Sequence, residues 1–272
     1  MKRCGQPARS ESEMRLVASA AITVQSESDG HAVAMLRPRS GEAQWVVSER
    51  YDIEPWVPAR EYTDSFGNLC QRFTLPAGQA SFSVRSEVEV DEHLAVERDA
   101  PCTPVAQLPD AVLVYLLQSR YCPSDKMGEQ AREIVGMLPP GYAQVERIRQ
   151  WIHDNHEYRY GASCASTDAL ETIAARAGVC RDFAHVGAGL CRGLQIPARV
   201  VVGYLHGLEP MDLHAWFEAY VGGRWYTFDA TQDLPRGGRI VVAYGRDIAD
   251  VAFLSNYGPL QVLDMKVQVG RV

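Results

Sequence analysis

The first third of the chain alternates hydrophobic and polar positions in the way that β-strands do. Strand-like runs, separated by turns rich in glycine and proline, occur at residues 21–24, 32–36, 44–47, 73–75 and 81–90. The last run alternates most regularly, which indicates one face toward solvent and one toward a core. This pattern predicts a β-sandwich of roughly 80–90 residues. We place it at residues 14–100, after a flexible tail at residues 1–13.

The pattern changes after the prolines of a connector, Pro101, Pro104 and Pro109. Apolar residues at three- and four-residue steps predict helices at residues 110–118, 124–138, 142–156, 166–177 and 180–194. Strand patterns return at residues 198–205, 214–221, 224–230, 240–244 and 260–269. Helices followed by an antiparallel sheet predict an α+β unit at residues 101–272, whose last strand can return to pack on the β-domain.

A glycine pair at residues 222–223 predicts a hairpin with a defined register. If this pair is the loop, Val221 lies opposite Arg224, and Asp229 falls on the same face as His214. Diagonal neighbours of this kind lie roughly 7–8 Å apart at the backbone, so the imidazole and the carboxylate can meet. A slip of one residue would place Asp229 on the opposite face.

Cys180 lies just after a turn and at the start of a predicted helix. The unpaired amides and positive dipole end of a helix start favour a thiolate, and they can also stabilise an oxyanion. A thiolate is the nucleophile that acyl transfer needs. The alternative is that Cys180 is one more small buried residue, and its position alone does not decide between the two interpretations.

The hairpin adds the partners that such a nucleophile needs. A histidine held in one tautomer by a carboxylate can take a proton from a thiol and return it to a leaving amine. Trp216, beside His214, could shield the pair from water. Taken singly, Asp229 could cap a turn, His214 could be structural and Trp216 could be a core residue. The joint pattern favours a Cys-His-Asp site for thiol acyl transfer.

The other histidines and cysteines are weaker candidates for catalytic or metal-binding residues. His185 faces away from Cys180 on the same helix, and Cys191 lies among core positions. His153 and His156 could form half of a metal site, but surface polarity is the preferred interpretation. The sequence contains no H-E-x-x-H and no C-x-x-C motif, so we expect no metal and no cofactor.

Composition narrows the range of partners and compartments. A formal charge of −7 and a pI near 5.5 argue against nucleic acid as a partner of this 272-residue chain. We expect no membrane association, because no apolar stretch approaches the roughly 20 residues of a membrane span and the N-terminus lacks the apolar core of a signal peptide. The seven irregularly spaced cysteines fit reduced thiols. We therefore expect a cytoplasmic protein.

Six short motifs follow one another in the second part of the chain: GVCRDFA at residues 178–184, LCR at 190–192, IPAR at 196–199, GY at 203–204, HAW at 214–216 and FDAT at 228–231. In this order they resemble the core of the transglutaminase-like superfamily. This core is similar in architecture to papain-type cysteine proteases. The resemblance implies that Cys180, His214 and Asp229 are the catalytic residues. The family often has proline where this chain has Ala230.

The resemblance extends to most of the chain. Residues 36–39, Gln44, Pro55 and residues 64–68 look like the β-domain that precedes this core in bacterial members, and residues 245–251 fit a segment near the end. For the oxyanion it implies the backbone amide of Cys180, with Tyr160 as a second donor.

The expected activity is thiol-dependent hydrolysis of amide bonds, in a peptide, a protein or another amide-bearing small molecule. Two alternatives stay open. One is a protein-glutamine transglutaminase, in which an amine replaces water, and the other is a non-catalytic binding or scaffold module that keeps the fold. Nothing resembles a calcium loop, so we expect no calcium dependence, and the sequence does not indicate an oligomeric state.

Overall fold

The computed structural model describes residues 13–41 and 44–272. Strands dominate the N-terminal part, and five helices with a further antiparallel sheet form the rest, so the α+β prediction is confirmed. Most of the predicted tail, residues 1–12, lies outside the described residues. Glu13 already belongs to the first strand.

The N-terminal part contains two four-stranded antiparallel sheets. Its strands are β1 (Glu13–Ser26), β2 (Gly30–Ala34), β3 (Gln44–Glu54), β4 (Arg60–Thr63), β5 (Leu69–Leu75) and β6 (Gly78–Asp91). β1 is much longer than the predicted run at residues 21–24, and every second residue of β1 from Met14 to Val24 is buried. Phe73 of one sheet contacts Phe82 of the other, with ring centroids 5.6 Å apart.

Two strands from the C-terminal end complete these sheets. β14 (Leu260–Arg271) pairs antiparallel with β1, and β13 (Leu254–Tyr257) pairs antiparallel with β2. The sheet orders are therefore β14-β1-β6-β3 and β13-β2-β5-β4. We did not predict β13, because its four residues are largely polar and carry no alternation. The division of the chain near residue 100 stays a prediction.

The helices are shorter than the hydrophobic patterns suggested. They are α1 (Asp110–Leu113), α2 (Gly128–Val135), α3 (Tyr142–Asn155), α4 (Ala169–Ala175) and α5 (Cys180–Gly193). Turns of 3₁₀ helix replace the end of the first predicted helix and the start of the second. No helix in the described ranges is long and apolar enough to cross a membrane.

Both ends of α4 differ from the helix predicted at residues 166–177. Asp168 and Glu171 form a reciprocal capping box at its start, so the helix begins three residues later than predicted. It ends at Ala175, because the next residue, Arg176, adopts a left-handed conformation with φ of 52°, so the helix stops before it reaches Gly178. Gly178 instead belongs to a two-residue strand.

α5 packs on a further four-stranded sheet, the sheet of the core, whose order is β11-β10-β9-β12. Its strands are β9 (Ala198–Leu205), β10 (His214–Val221), β11 (Arg224–Phe228) and β12 (Arg239–Gly245). Phe217 of β10 lies directly against Gly187 of α5, where a β-carbon would collide with its ring. This close approach buries nearly all of α5.

A short parallel pair connects α3 to the start of α5. β7 (Glu157–Tyr158) pairs with β8 (Ala177–Gly178), which places Tyr158 level with Gly178. The amide of Arg159 also donates to the carbonyl of Gly178, at 2.9 Å. This pairing brings the end of α3 to the helix start that carries Cys180.

Two buried side-chain amides from the N-terminal part bind the edge of β12. Gln44 accepts from the amide of Val241 at 2.7 Å and donates to its carbonyl at 2.8 Å. Asn68 does the same to Tyr244, at 3.0 Å and 2.9 Å. Each side chain thus replaces a neighbouring strand, because β12 is the last strand of its sheet. These contacts attach the N-terminal sheets to the sheet of the core.

Candidate active site

Cys180 is the first residue of α5, and a buried aspartate fixes this helix start. The Asp182 carboxylate accepts from the Val179 amide at 2.9 Å and from the Ser163 hydroxyl at 2.5 Å, and its other oxygen pairs with Arg181 at 2.9 Å. Gly178 is needed here because a β-carbon would lie 2.8 Å from that of Asp182. A carboxylate at the third helical position also suits the positive end of the helix dipole.

The hairpin has the predicted register. Val221 lies opposite Arg224, and the pairing continues to Phe217 opposite Phe228 without a slip. His214 begins β10 and Asp229 directly follows β11, so both lie on one face. His214 Nε2 lies 2.8 Å from Oδ2 of Asp229, and both side chains are buried.

The carboxylate of Asp229 has two further partners. Its Oδ1 accepts from the amide of Thr231 at 3.0 Å and from its hydroxyl at 2.7 Å. Its Oδ2 accepts from Nη2 of Arg239 at 2.8 Å. Burial alone would raise the pKa of Asp229, but the charges of Arg239 and His214 and the hydrogen bonds lower that pKa well below its usual range. Asp229 is therefore an ionised carboxylate held from several sides.

Arg239 is a site residue that the sequence analysis missed. It is only 7% exposed, and besides Asp229 its Nε donates to the Arg236 carbonyl at 2.9 Å. Its guanidinium lies 4.9 Å from the centre of the Trp216 ring. Arg239 starts β12, which is separated from β10 and β11 by β9. No local pattern in the sequence could have connected it with Asp229.

His214 is influenced by both of its predicted partners. Burial lowers the pKa of the imidazole, but the charge and hydrogen bond of Asp229 outweigh burial, and the Cys180 side chain adds a hydrogen bond and a charge. Together they raise the pKa of His214 to about 9. The structure thus brings Cys180, His214 and Asp229 together. Trp216 lies beside them, with its ring centroid 6.2 Å from that of His214.

The tyrosine that adjoins Cys180 is Tyr158. Tyr160 is 57% exposed, and its ring contacts that of Tyr158 at 5.6 Å. The ring of Tyr158 also packs edge-on against Phe183, one turn into α5. Burial and the charge of Cys180 raise the pKa of the Tyr158 hydroxyl well above its usual range, while a hydrogen bond from the Cys180 backbone acts in the opposite direction. Tyr158 therefore stays protonated next to Cys180.

The other histidines considered in the sequence analysis, His153, His156 and His185, have structural partners. His185 is buried and accepts from the Ile248 amide at 3.2 Å, and His153 Nδ1 donates to the carbonyl of Ala230 at 3.0 Å. The interpretation of His156 as a surface residue was wrong, because it is buried and its ring packs against that of Phe183. Within residues 13–41 and 44–272, no group of three or more His, Cys, Asp or Glu side chains could hold a metal ion.

Comparisons with known proteins agree with this architecture. Residues 128–230 match the family model of the transglutaminase-like superfamily core, and residues 25–91 match that of the bacterial transglutaminase-like N-terminal region. A solved structure of a candidate cysteine protease from Cytophaga hutchinsonii is 35% identical and superposes with a TM-score of 0.91, covering 96% of this chain and 91% of that one. The chain belongs to the transglutaminase-like superfamily.

Uncharacterised proteins of two mycobacteria are also similar to this superfamily member. The protein of Mycobacterium leprae is 28% identical over 252 residues, which cover 87% of this chain and 89% of the relative. The protein of Mycobacterium tuberculosis is 28% identical over 244 residues, which cover 79% and 77%. The similarity therefore spans both the N-terminal sheets and the core.

Proposed function

We propose that this protein is a thiol-dependent acyl transferase that hydrolyses amide bonds in peptides or proteins. The observation that supports the proposal best is the 2.8 Å contact between buried His214 and Asp229, beside the side chain of Cys180. Cys180 is the nucleophile, His214 is the general base and then the general acid, and Asp229 holds the imidazole in one orientation.

His214 carries the proton of the Cys180 thiol to the leaving amine. Nε2 of His214 is engaged by Asp229, which leaves Nδ1 to exchange a proton with the thiol. The raised pKa of His214 favours the imidazolium, and a cation beside Cys180 favours the thiolate. The thiolate adds to the amide carbon, His214 then gives its proton to the leaving amine, and a thioester remains. Water, deprotonated by His214, releases the acid and restores the thiol.

Two donors are available for the oxyanion of each tetrahedral intermediate. One is the backbone amide of Cys180, which has no acceptor within α5 because it lies in the first turn, and which is directed at the Tyr158 hydroxyl. We assign the second to the hydroxyl of Tyr158 and not to that of Tyr160, because Tyr158 is the tyrosine that contacts Cys180. A hydroxyl with a raised pKa remains a donor at neutral pH.

Water is the proposed acceptor because the Cytophaga hutchinsonii relative is a candidate protease. Hydrolysis of a labelled protein such as fluorescein-casein, with Cys180→Ala as the control, tests turnover directly. Adding a labelled primary amine to the same reaction separates the two acceptors. Incorporation of the amine at the expense of hydrolysis would replace the protease assignment with transamidation.

Alkylation by iodoacetamide, mapped by mass spectrometry on each cysteine against pH, tests the nucleophile itself. The structure dictates one precaution. Cys164 is exposed, and hydrogen bonds from Ser166 and Thr167 lower its pKa to about 7, so it will react quickly whatever its role. The experiment therefore uses a Cys164→Ser background. Buried Cys122, whose pKa burial raises to about 12, is the internal slow reference.

The expected result is rapid alkylation of Cys180 near pH 6 that His214→Ala removes. In the variant the thiol would react only as pH approaches the range of ordinary thiols, roughly 8–9. Equal rates for Cys180 in both proteins, or a rate no higher than that of Cys122, would contradict the proposed thiolate–imidazolium pair. The retained fold would then be a binding or scaffold module.

A further inference from the structure

Asp229 binds two cationic side chains through a single oxygen atom. Nε2 of His214 and Nη2 of Arg239 each lie 2.8 Å from its Oδ2. All three side chains are buried, and the most exposed of them, Arg239, has only 5% of its side-chain surface open to solvent. Because charges interact strongly in a buried site, the charge of each group affects the ionisation of the other two.

Arg239 is held in place without the help of His214. Its Nε donates to the carbonyl of Arg236 at 2.9 Å, and its guanidinium lies 4.9 Å from the centre of the Trp216 ring. Its backbone begins β12. A guanidinium keeps its proton at every pH at which an enzyme works. Asp229 therefore faces one permanent positive charge and one, on the imidazole, that can be lost.

The other ionisable groups around the site do not bind this carboxylate. Cys180 reaches His214 from α5, and Tyr158 contacts Cys180 and stays protonated. His153 and Arg236 bind groups of the segment that follows the carboxylate, not the carboxylate itself. Among the residues that the structure describes, the guanidinium of β12 is thus the cation that remains beside the carboxylate when His214 is neutral.

The two halves of the proposed reaction need His214 in opposite states. Acylation uses the imidazolium, which favours the Cys180 thiolate and then protonates the leaving amine. Deacylation uses the neutral imidazole: Nδ1 takes a proton from water, the water oxygen bonds to the thioester carbon, and the C–S bond breaks. The acid leaves, and the proton returns to the pair of Cys180 and His214. Without a second cation, neutral His214 would leave Asp229 as an unpaired buried carboxylate, which is strongly unfavourable.

We propose that Arg239 is a positioning residue for deacylation, which balances the charge of Asp229 while His214 is neutral and so lets the imidazole act as a base toward water. This inference rests on the proposed function and assigns Arg239 to one half of the reaction. The other half uses the imidazolium, which does not need this balance. Loss of the Arg239 charge therefore leaves thiolate formation intact and slows release of the acid.

Hydrolysis of 4-nitrophenyl acetate separates the two halves, because the initial burst of nitrophenolate reports acylation and the steady rate that follows reports deacylation. The parent protein carries Cys164→Ser, since that exposed thiol would also be acylated. Arg239→Gln keeps a donor for the carboxylate but removes the charge, whereas Arg239→Lys keeps the charge. Arg199→Gln, which breaks the 2.6 Å pair of Arg199 with Glu218 in the same sheet, is the control.

In the parent we expect the deacylation rate to rise with pH through a midpoint below about 9, the pKa of His214 in the free protein, because a thioester carries no charge. The midpoint should rise by at least about one pH unit in Arg239→Gln, since a nearby buried cation is lost. It should stay near the parent value in Arg239→Lys and Arg199→Gln. Alkylation of Cys180 by iodoacetamide near pH 6 should stay as fast as in the parent, which a merely structural role of Arg239 does not predict.

Coincident midpoints in the parent and Arg239→Gln, or the loss of rapid Cys180 alkylation in that variant, would overturn the inference. A parent midpoint at or above 9 would also overturn it. That measurement needs no substitution at Arg239, so the inference can fail even if Arg239→Gln does not fold. The absence of a Cys180-dependent burst in the parent would instead remove the proposed function, and this inference with it.

Discussion

Arg239 and His214 bind the same carboxylate oxygen of Asp229, each at 2.8 Å. The cation of Arg239 keeps Asp229 ionised although the carboxylate is buried. The same cation competes for the electron density that Asp229 offers to the imidazole. The Asp229 side chain therefore binds His214 of the hairpin and Arg239 of β12 at the same time, and its removal affects both.

Replacing Asp229 should lower both the rate of amide hydrolysis and the stability of the fold. In Asp229→Asn we expect kcat for amide hydrolysis to fall by about 10³–10⁴, because the imidazole loses its orientation and tautomer. The free energy of unfolding should fall by about 3–5 kcal/mol, since Arg239 stays buried without a carboxylate. Asp52→Asn, which breaks an exposed pair with Arg50, should leave the urea unfolding curve nearly unchanged. A fully active Asp229→Asn protein would disprove the role given to Asp229.

The raised pKa of His214 predicts a specific loss of stability at alkaline pH. The group titrates near 6.5 when unfolded and near 9 when folded. The imidazolium therefore stabilises the fold fully below pH 6.5, and this stabilisation is lost as pH rises through 9. Urea unfolding of wild type and His214→Gln should show a stability difference that shrinks by a few kcal/mol over this window.

An exposed histidine provides the control for that measurement. His31→Gln makes the same exchange at an exposed position whose ring bonds Thr74, and its pH profile is subtracted from that of His214→Gln. If the difference between wild type and His214→Gln is flat from pH 6 to pH 10 after this subtraction, the ionised pair with Asp229 does not exist in solution.

Tyr158 and Tyr160 offer a matched pair of substitutions. Tyr158→Phe removes the hydroxyl that lies against Cys180 and should lower kcat by about 10²–10³ with little change in KM. Tyr160→Phe, at the exposed neighbouring ring, should stay within a few-fold of wild type. Steady-state kinetics on one peptide substrate decides between them, and a larger loss in Tyr160→Phe would return the oxyanion role to that residue.

The side-chain amides at the edge of β12 predict a local change in hydrogen exchange. Asn68→Ala should speed exchange of the Tyr244 amide, and Gln44→Ala should speed exchange of the Val241 amide. Each variant serves as the control for the other, because each should leave the other amide protected. Each should also lower stability by about 1–3 kcal/mol, since a buried backbone pair loses its partner. Unchanged exchange at both amides would show that these contacts do not hold the edge of β12.

The sequence by itself determined the features that depend on local periodicity. The start of α5 at Cys180 follows from a turn and a helical repeat, and the hairpin register follows from two adjacent glycines. Because side chains alternate along a strand, that register alone predicted that Asp229 would share a face with His214. The motifs around these residues also indicated the family, which the comparisons confirmed.

Only the tertiary structure decided the contacts between elements that are distant in the chain. Arg239 reaches Asp229 across the sheet, Tyr158 meets Cys180 through the pairing of β7 with β8, and Asn68 binds the edge of β12. A residue in any of these positions looks like an ordinary polar or aromatic residue in sequence. Its partner depends on strand order and on how the N-terminal sheets pack on the core, and neither has a local repeat that a sequence pattern could reveal.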